Sequence, residues 1–311
     1  MAQAKLPENH DDTARFPYGA APLPAQFPQG YAPGTPYRSQ QVPGQRSRTV
    51  PAGAASARRH PWELPLLLTC LVITVGMAAA LSRALWIHSG TPGTAALAML
   101  GTITGYWLIR GLIEADHKAR SAKVSPTQFP EVYRMLRELS AAMDLRRVPA
   151  VYVGPGRRPL LGAAGHGSRR YVVLDPDLFE LGGRLRDPEA LRFLIAHELG
   201  HIAAGHTGYW RRLGSCAGSL LPGVGSSLSR AMEYTADDHA YAHCPDGAHG
   251  LRVLVGGKYL YPYINLGEMA ERARTERGFF SLLHNLLSRR PSTVRRLAAV
   301  RDRSRPGRVF G

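Results

Sequence analysis

Lysine is almost absent: Lys5, Lys118, Lys123 and Lys258 are the only ones in 311 residues. Lys and Arg together number 39 against 23 Asp and Glu, so the formal charge of +16 is carried almost wholly by arginine. An arginine bias accompanies a GC-rich genome as readily as a binding role. The sign of the charge suggests anionic partners, either nucleic acid or the inner leaflet of a membrane. No nucleic-acid-binding motif with interleaved aromatics occurs, so no nucleic acid partner is expected. Cysteine is scarce as well. Cys70, Cys216 and Cys244 lie far apart and form no CxxC pair, which excludes a disulfide framework and a zinc ribbon and makes a reducing compartment the default. Cys244 with His243 and His249 reads as a loop rather than a second metal site. Residues 1–60, as in "FPYGAAPLPAQFPQGYAPGTPY", lack apolar periodicity of either 2 or 3.6. Such a segment cannot offset its ordering entropy and reads as a disordered Pro/Gln/Gly-rich tail, with no apolar run near Met1 of the kind a secretory signal needs.

Two stretches lack charge altogether. "LPLLLTCLVITVGMAAALS" (64–82) and "TPGTAALAMLGTITGYWLI" (91–109) are each close to the roughly 20 residues that cross a bilayer core, and the second ends in the interfacial aromatics Tyr106 and Trp107. Arg58, Arg59 and His60 precede the first, and Arg110, Lys118, Arg120 and Lys123 follow the second; only Arg83 lies in or beside the connecting loop. By the positive-inside rule, residues 61–112 form a transmembrane hairpin with both long arms in the cytoplasm, so a multi-pass cell-membrane protein in contact with the lipid bilayer is expected.

From about residue 125 the composition is that of a soluble domain, expected over 125–303 and followed by a basic tail at 304–311. "PEVYRMLRELSAAMDL" (130–145) places Val132, Met135, Leu136, Leu139 and Met143 on one face of a helix. "AVYVG" (150–154) and "YVVLD" (171–175) read as strands, and the stretch between them as a long connection or ragged edge strand. Asp187 is a good N-cap and Pro188 suits the first helical position of "PEALRFLIAHELGHIAAGH", which runs on toward Thr207-Gly208. The apolar, glycine-rich 214–228 is short for a span and reads as a linker, flexible or grazing the membrane. A helix over 229–243 and two or three more in 248–302 follow. The last 23 residues carry eight Arg against one Asp and read as a solvated face near the inner leaflet.

His197 and His201, four apart on a helix, project from one face about one turn apart, and two imidazoles so placed can close on one zinc ion. Glu198 sits beside them, not as a third ligand but where it can take a proton from a water that zinc has acidified to a pKa of about 7. The neighbours Leu194, Ile195, Ala196, Leu199, Ile202 and Ala203 are apolar, so these polar atoms would be buried and need a purpose. A hydrolytic zinc takes three protein ligands. "EYTAD" (233–237) offers Glu233, with Asp237 one turn later on the same face to accept a hydrogen bond from the outer nitrogen of a ligating imidazole. His206 and His239 are alternatives for the third ligand. On a continuous helix His206 lies about 140° round from His201, which suits a neutral surface or capping role.

"HELGH" followed by "SRAMEYTAD" resembles the membrane-bound zinc metallopeptidases of the HtpX and CAAX-prenyl endopeptidase type, a gluzincin group. The resemblance covers roughly residues 130–302. It implies a zincin-like domain, mainly α with a small β-sheet (α+β), behind a two-helix transmembrane hairpin. It implies one zinc ion on His197, His201 and Glu233, Glu198 as general base and Asp237 outside the ligand shell. It also implies an extended protein or peptide substrate laid on an edge strand. Two departures stand out. Where the family carries His-Pro, this chain has Arg290-Pro291, followed by Arg296-Leu297; the Arg290 guanidinium is then the candidate to stabilise developing oxyanion charge. Where the family has Asn-Ala-aromatic on the edge strand, this chain has Leu161-Gly162-Ala163-Ala164, the candidate substrate strand. The expected function is a membrane-anchored zinc endopeptidase, with membrane-protein quality control or processing as a role. The alternative is a catalytically weak membrane scaffold with a structural zinc site that recruits partners through its Pro-rich tail.

Overall fold

A computed structural model describes residues 57–89, 91–154, 161–164, 170–179, 187–275 and 278–310, with backbone alone at 161–164. The tail expected over 1–60 lies outside the described residues except for 57–60. Helix α1 (Glu63–Ser89) and helix α2 (Pro92–Ala119) form the N-terminal pair. Both outrun the apolar stretches, and Arg83 falls within α1 rather than in a loop, because residues 83–89 contain neither Gly nor Pro. At 27 and 28 residues they are each about 40 Å long, more than the roughly 30 Å of a bilayer core. Their apolar side chains face outward: Leu68, Val72, Val75 and Leu81 on α1 and Leu97, Leu100, Leu108 and Leu112 on α2 are all exposed. A core helix of a soluble protein would bury them.

Four strands form one small sheet in the order β1-β2-β4-β3: β1 (Ala122–Lys123), β2 (Ala150–Val153), β3 (Leu161–Ala164) and β4 (Tyr171–Leu174). β2 and β4 run parallel with Ala150 opposite Tyr171, while β1 on β2 and β3 on β4 are antiparallel. β3 is thus an edge strand. Val151, Val153, Val172 and Leu174 from the sheet share one core with Val132, Leu136 and Leu139 of α3 (Pro130–Ala142) and with α4 (Pro188–Ala203). The result is a mainly helical chain with a small sheet.

Helix α4 is the centre of the core, with Leu191, Phe193, Leu194, Ile195, Leu199 and Ile202 all buried. Its start follows from the sequence. The Asp187 carboxylate accepts from the Ala190 backbone N–H at 3.0 Å and Pro188 opens the first turn. The other Asp187 oxygen accepts from His249 Nε2 at 2.8 Å. Burial opposes the Asp187 charge, but His249 and the Ala190 N–H outweigh it and hold this carboxyl below its ordinary value of 3.8; burial likewise opposes charge on His249, and Asp187 outweighs it, raising His249 above 6.5. The Asp187 contribution is therefore present above pH 3.8 and lost as pH falls through the folded pKa. The His249 contribution is present below pH 6.5 and lost as pH rises through its own folded pKa. The stability gap between the parent and a His249→Gln variant should be widest between these two values and shrink from pH 6 to pH 9 in thermal unfolding. A gap that stays constant over that range would remove the linkage.

After α4 come α5 (Tyr209–Gly214), α6 (Cys216–Leu220) and α7 (Val224–His243). Residues 214–228 are thus not a linker: they hold α6, and α7 begins at 224 rather than 229. Gly218 and Gly225 are close-packing points. A Cβ on Gly218 would fall 2.4 Å from Cys70 Cα on α1, and one on Gly225 would fall 2.4 Å from the Ser219 carbonyl oxygen. Leu66 and Cys70 of α1 pack on Leu228 of α7. Four helices follow, α8 (Val253–Leu260), α9 (Leu266–Thr275), α10 (Phe279–Leu287) and α11 (Thr293–Arg301), more than the two or three expected, because Pro262, Gly278 and Pro291 each interrupt the run. The basic C-terminal stretch is not a solvated face throughout. Val309 is buried against Ala231 and Tyr234, and its carbonyl accepts from Arg230 Nε at 2.9 Å and Ser227 Oγ at 3.1 Å. A buried arginine on α7 needs acceptors, and the chain end supplies them.

Candidate metal centre

Helix α4 presents His197, Glu198 and His201 toward α7, which presents Glu233 and Asp237 one turn apart. Gly200 lies between the two histidines. A Cβ there would fall 2.9 Å from His239 Cβ and 3.0 Å from the Ala236 carbonyl oxygen, so α7 comes this near only because position 200 has no side chain. The helices cross where the three candidate ligands meet: one atom each from His197, His201 and Glu233 lie within 4.8 Å of one another. His197 Nε2 is 3.5 Å from one Glu233 oxygen and His201 Nε2 is 3.7 Å from the other.

The outer nitrogens are engaged. His197 Nδ1 lies 2.8 Å from Asp237 Oδ1, so an N–H there donates to the carboxylate and Nε2 is turned toward the cluster. Asp237 is gripped from its far side by Arg296 of α11, which donates from Nε to Oδ2 at 2.8 Å and from Nη2 to Oδ1 at 2.6 Å. Arg296 Nη1 also lies 3.6 Å from Glu233 Oε2. Burial would push both carboxyls up. Around Glu233 the two imidazoles and Arg296 outweigh it and hold the group well below 4.5; around Asp237 the guanidinium and His197 do the same. Burial and Arg296 push His197 down, but Asp237 and Glu233 outweigh them and raise it to about 9, so a cation binding here has to displace a proton.

A divalent cation and a water fit this set. Among the described residues Glu198 Oε2 and Glu233 Oε2 are buried without a hydrogen-bond partner, and an orphaned buried carboxylate oxygen is costly. Two imidazole nitrogens and a carboxylate are the donor types zinc takes.

Arg290 stands between α10 and α11, its side chain 45% exposed and its Nε 3.7 Å from Glu233 Oε1, so it reaches the rim of the cluster. Leu161, Gly162 and Ala163 lie on the edge strand β3, which packs beside α4. His239 packs behind Gly200 and is not in the ligand group among the described residues. His206 is a correction. It is buried rather than at the surface, and its Nδ1 is 2.8 Å from His201 Nδ1. The helix stops at Ala203, Gly205 takes φ +77, and the His206 N–H donates to the His201 carbonyl at 2.9 Å. The chain doubles back, so the angle for a continuous helix does not apply. Burial lowers His206 to about 4, against the pull of Glu63, and keeps it a neutral imidazole near pH 7. Glu63 and Thr235 also belong to this surround and were given no role from the motifs; Arg296, noted in the Arg296-Leu297 pair, was given none either. The signal for Glu63 was a lone acid at the head of an apolar run.

Residues 126–212 match the profile of Peptidase family M48. The chain is 29% identical over 169 residues to a "Protease HtpX homolog" of Syntrophobacter fumaroxidans, covering 54% of each chain. It is 30% identical over 142 residues to a "Protease HtpX homolog" of Pseudarthrobacter chlorophenolicus, covering 44% of this chain and 47% of that one. A third "Protease HtpX homolog", of Bifidobacterium longum, is 30% identical over 121 residues, 38% of each. The chain spans about half the length of the curated relatives it matches. No solved structure matches. Over these stretches the chain is similar to family M48 peptidases and to HtpX-type proteases.

Proposed function

We propose that this protein is a membrane-anchored zinc endopeptidase in which His197, His201 and Glu233 hold one zinc ion and Glu198 is the general base. The observation that carries the reading is the meeting of these three side chains beside the buried Glu198, one of whose carboxylate oxygens has no hydrogen-bond partner among the described residues. Bound there, zinc supplies Lewis acidity toward a peptide carbonyl and a water. Glu198 takes the proton of that water as its oxygen bonds to the carbonyl carbon, and returns it to the amine nitrogen as the C–N bond breaks. Arg290, at the rim, faces the charge that develops on the carbonyl oxygen. Asp237, fixed by Arg296, holds the His197 ring with Nε2 inward. An extended substrate adds to the free edge of β3 over Leu161, Gly162 and Ala163. Helices α1 and α2 span the cell membrane as a hairpin, with the tail and the peptidase domain on the cytoplasmic side. Residues 125–303 make up the peptidase domain.

Metal removal tests this directly. Purified full-length protein in detergent should carry about one zinc per chain. Dialysis against a chelator should abolish cleavage of an unfolded protein substrate, and added zinc should restore it. Cleavage that persists in metal-free protein would overturn the assignment.

A further inference from the structure

The His201 ring is held from outside by a chain of groups that ends on α1. His201 Nδ1 lies 2.8 Å from His206 Nδ1, and His206 Nε2 lies 3.1 Å from Glu63 Oε1. Glu63 and His206 are 2% and 3% exposed, so water does not stand in for either partner. The Glu63 carboxylate is itself fixed. Arg211 of α5 donates to Oε1 at 2.7 Å and Thr235 of α7 donates to Oε2 at 2.6 Å, while Arg59 Nη1 lies 3.7 Å from Oε1. Its place in the first turn of α1 suits a negative charge.

With both imidazoles neutral, one arrangement satisfies every group. A carboxylate only accepts, so His206 Nε2 carries the hydrogen it donates to Glu63. A neutral imidazole then has a bare Nδ1, which accepts from the His201 Nδ1–H. That proton on Nδ1 leaves His201 Nε2 bare, and Nε2 is the nitrogen that faces Glu233 at 3.7 Å. Asp237 does for His197 in one bond what His206 and Glu63 do for His201 in two.

We propose that His206 and Glu63 form a positioning relay that sets the tautomer and aim of the His201 ring, so that the first residue of α1 tunes the metal centre. The proposal rests on His197, His201 and Glu233 being the metal site. It has a structural reach as well: Glu63 touches the turn after α4, α5 and α7 at once, and α1 is therefore fastened to the elements that carry His201 and Glu233.

The test is zinc affinity of the full-length protein in detergent, read by competition with a chelating dye, together with the visible spectrum of the cobalt-substituted protein. His206→Phe fills the space without hydrogen bonds and should weaken zinc binding about 10–100-fold and alter the cobalt bands, the size expected when the outer partner of a ligating histidine is lost. His206→Gln can accept from His201 through its carbonyl and donate to Glu63 through its amide, so it should recover most of the affinity. Glu63→Ala should resemble His206→Phe. Melting of the chelator-treated proteins separates folding from metal affinity. Should His206→Phe fail to fold, the comparison of His206→Gln with Glu63→Ala decides. Unchanged affinity and spectrum in His206→Phe and Glu63→Ala, or a loss that His206→Gln does not restore, overturns the relay while the metal site stands. A parent protein that binds no zinc overturns the metal site and the relay together.

Discussion

Glu198→Gln should keep its zinc and lose roughly 10²–10⁴-fold in cleavage rate, the usual contribution of a positioned general base. The reasoning is geometric. Glu198 is buried beside the candidate ligands but outside their group, and one of its carboxylate oxygens has no partner among the described residues. Glutamine keeps the volume and the polarity of that position but has no basic oxygen to take a proton. Metal content measured on the same preparation separates the two roles that a single residue could play here. An active Glu198→Gln protein with zinc in place would remove Glu198 from the chemistry. A variant that loses zinc along with activity would instead make Glu198 part of the metal shell.

The second large effect belongs to Arg296. Its guanidinium is buried, donates twice to Asp237 and lies within 4 Å of Glu233, so Arg296→Met leaves two buried carboxylates without their counter-charge. Removing one partner of a buried ion pair costs about 3–5 kcal/mol. The loss should be larger in chelator-treated protein than in zinc-loaded protein, because a bound cation compensates Glu233. Thermal unfolding of both forms measures it, and equal melting of parent and variant in the metal-free state would contradict the packing described here. Because Arg296 acts through Asp237 on the His197 ring, zinc affinity should fall as well.

What was legible from sequence is what local rules determine. The start of α4 followed from Asp187 and Pro188, and the β2 and β4 segments from their β-branched runs. Glu233 and Asp237 stood out because one turn of helix puts them on one face. The parts that stayed hidden depend on contacts between distant segments. Two-residue β1 has no period to detect and exists because β2 offers it an edge. Residues 214–228 read as a linker because nothing in them announces that Cys70 of α1 will press against Gly218. His206 was misplaced by extending a helix that Gly205 ends, although a glycine three residues before Gly208 in an apolar run is a fair sign of a helix stop. Arg296 was noted in the Arg296-Leu297 pair but given no partner. Composition cannot show which arginine of eight is buried, since that depends on where Asp237 lies.

The pairing of Arg296 with Asp237 also bears on how the protein comes into being. The groups that complete the cluster are scattered from Glu63 to Arg296, and a growing chain lengthens at roughly 5–20 residues per second. Glu63 therefore emerges on the order of ten seconds before Glu233, and Asp237 waits longer still for its guanidinium. During that interval α1 is present but the clamp on the His197 ring is not. The guanidinium that fixes Asp237, and through it the His197 ring, is thus the last piece of the cluster to be made.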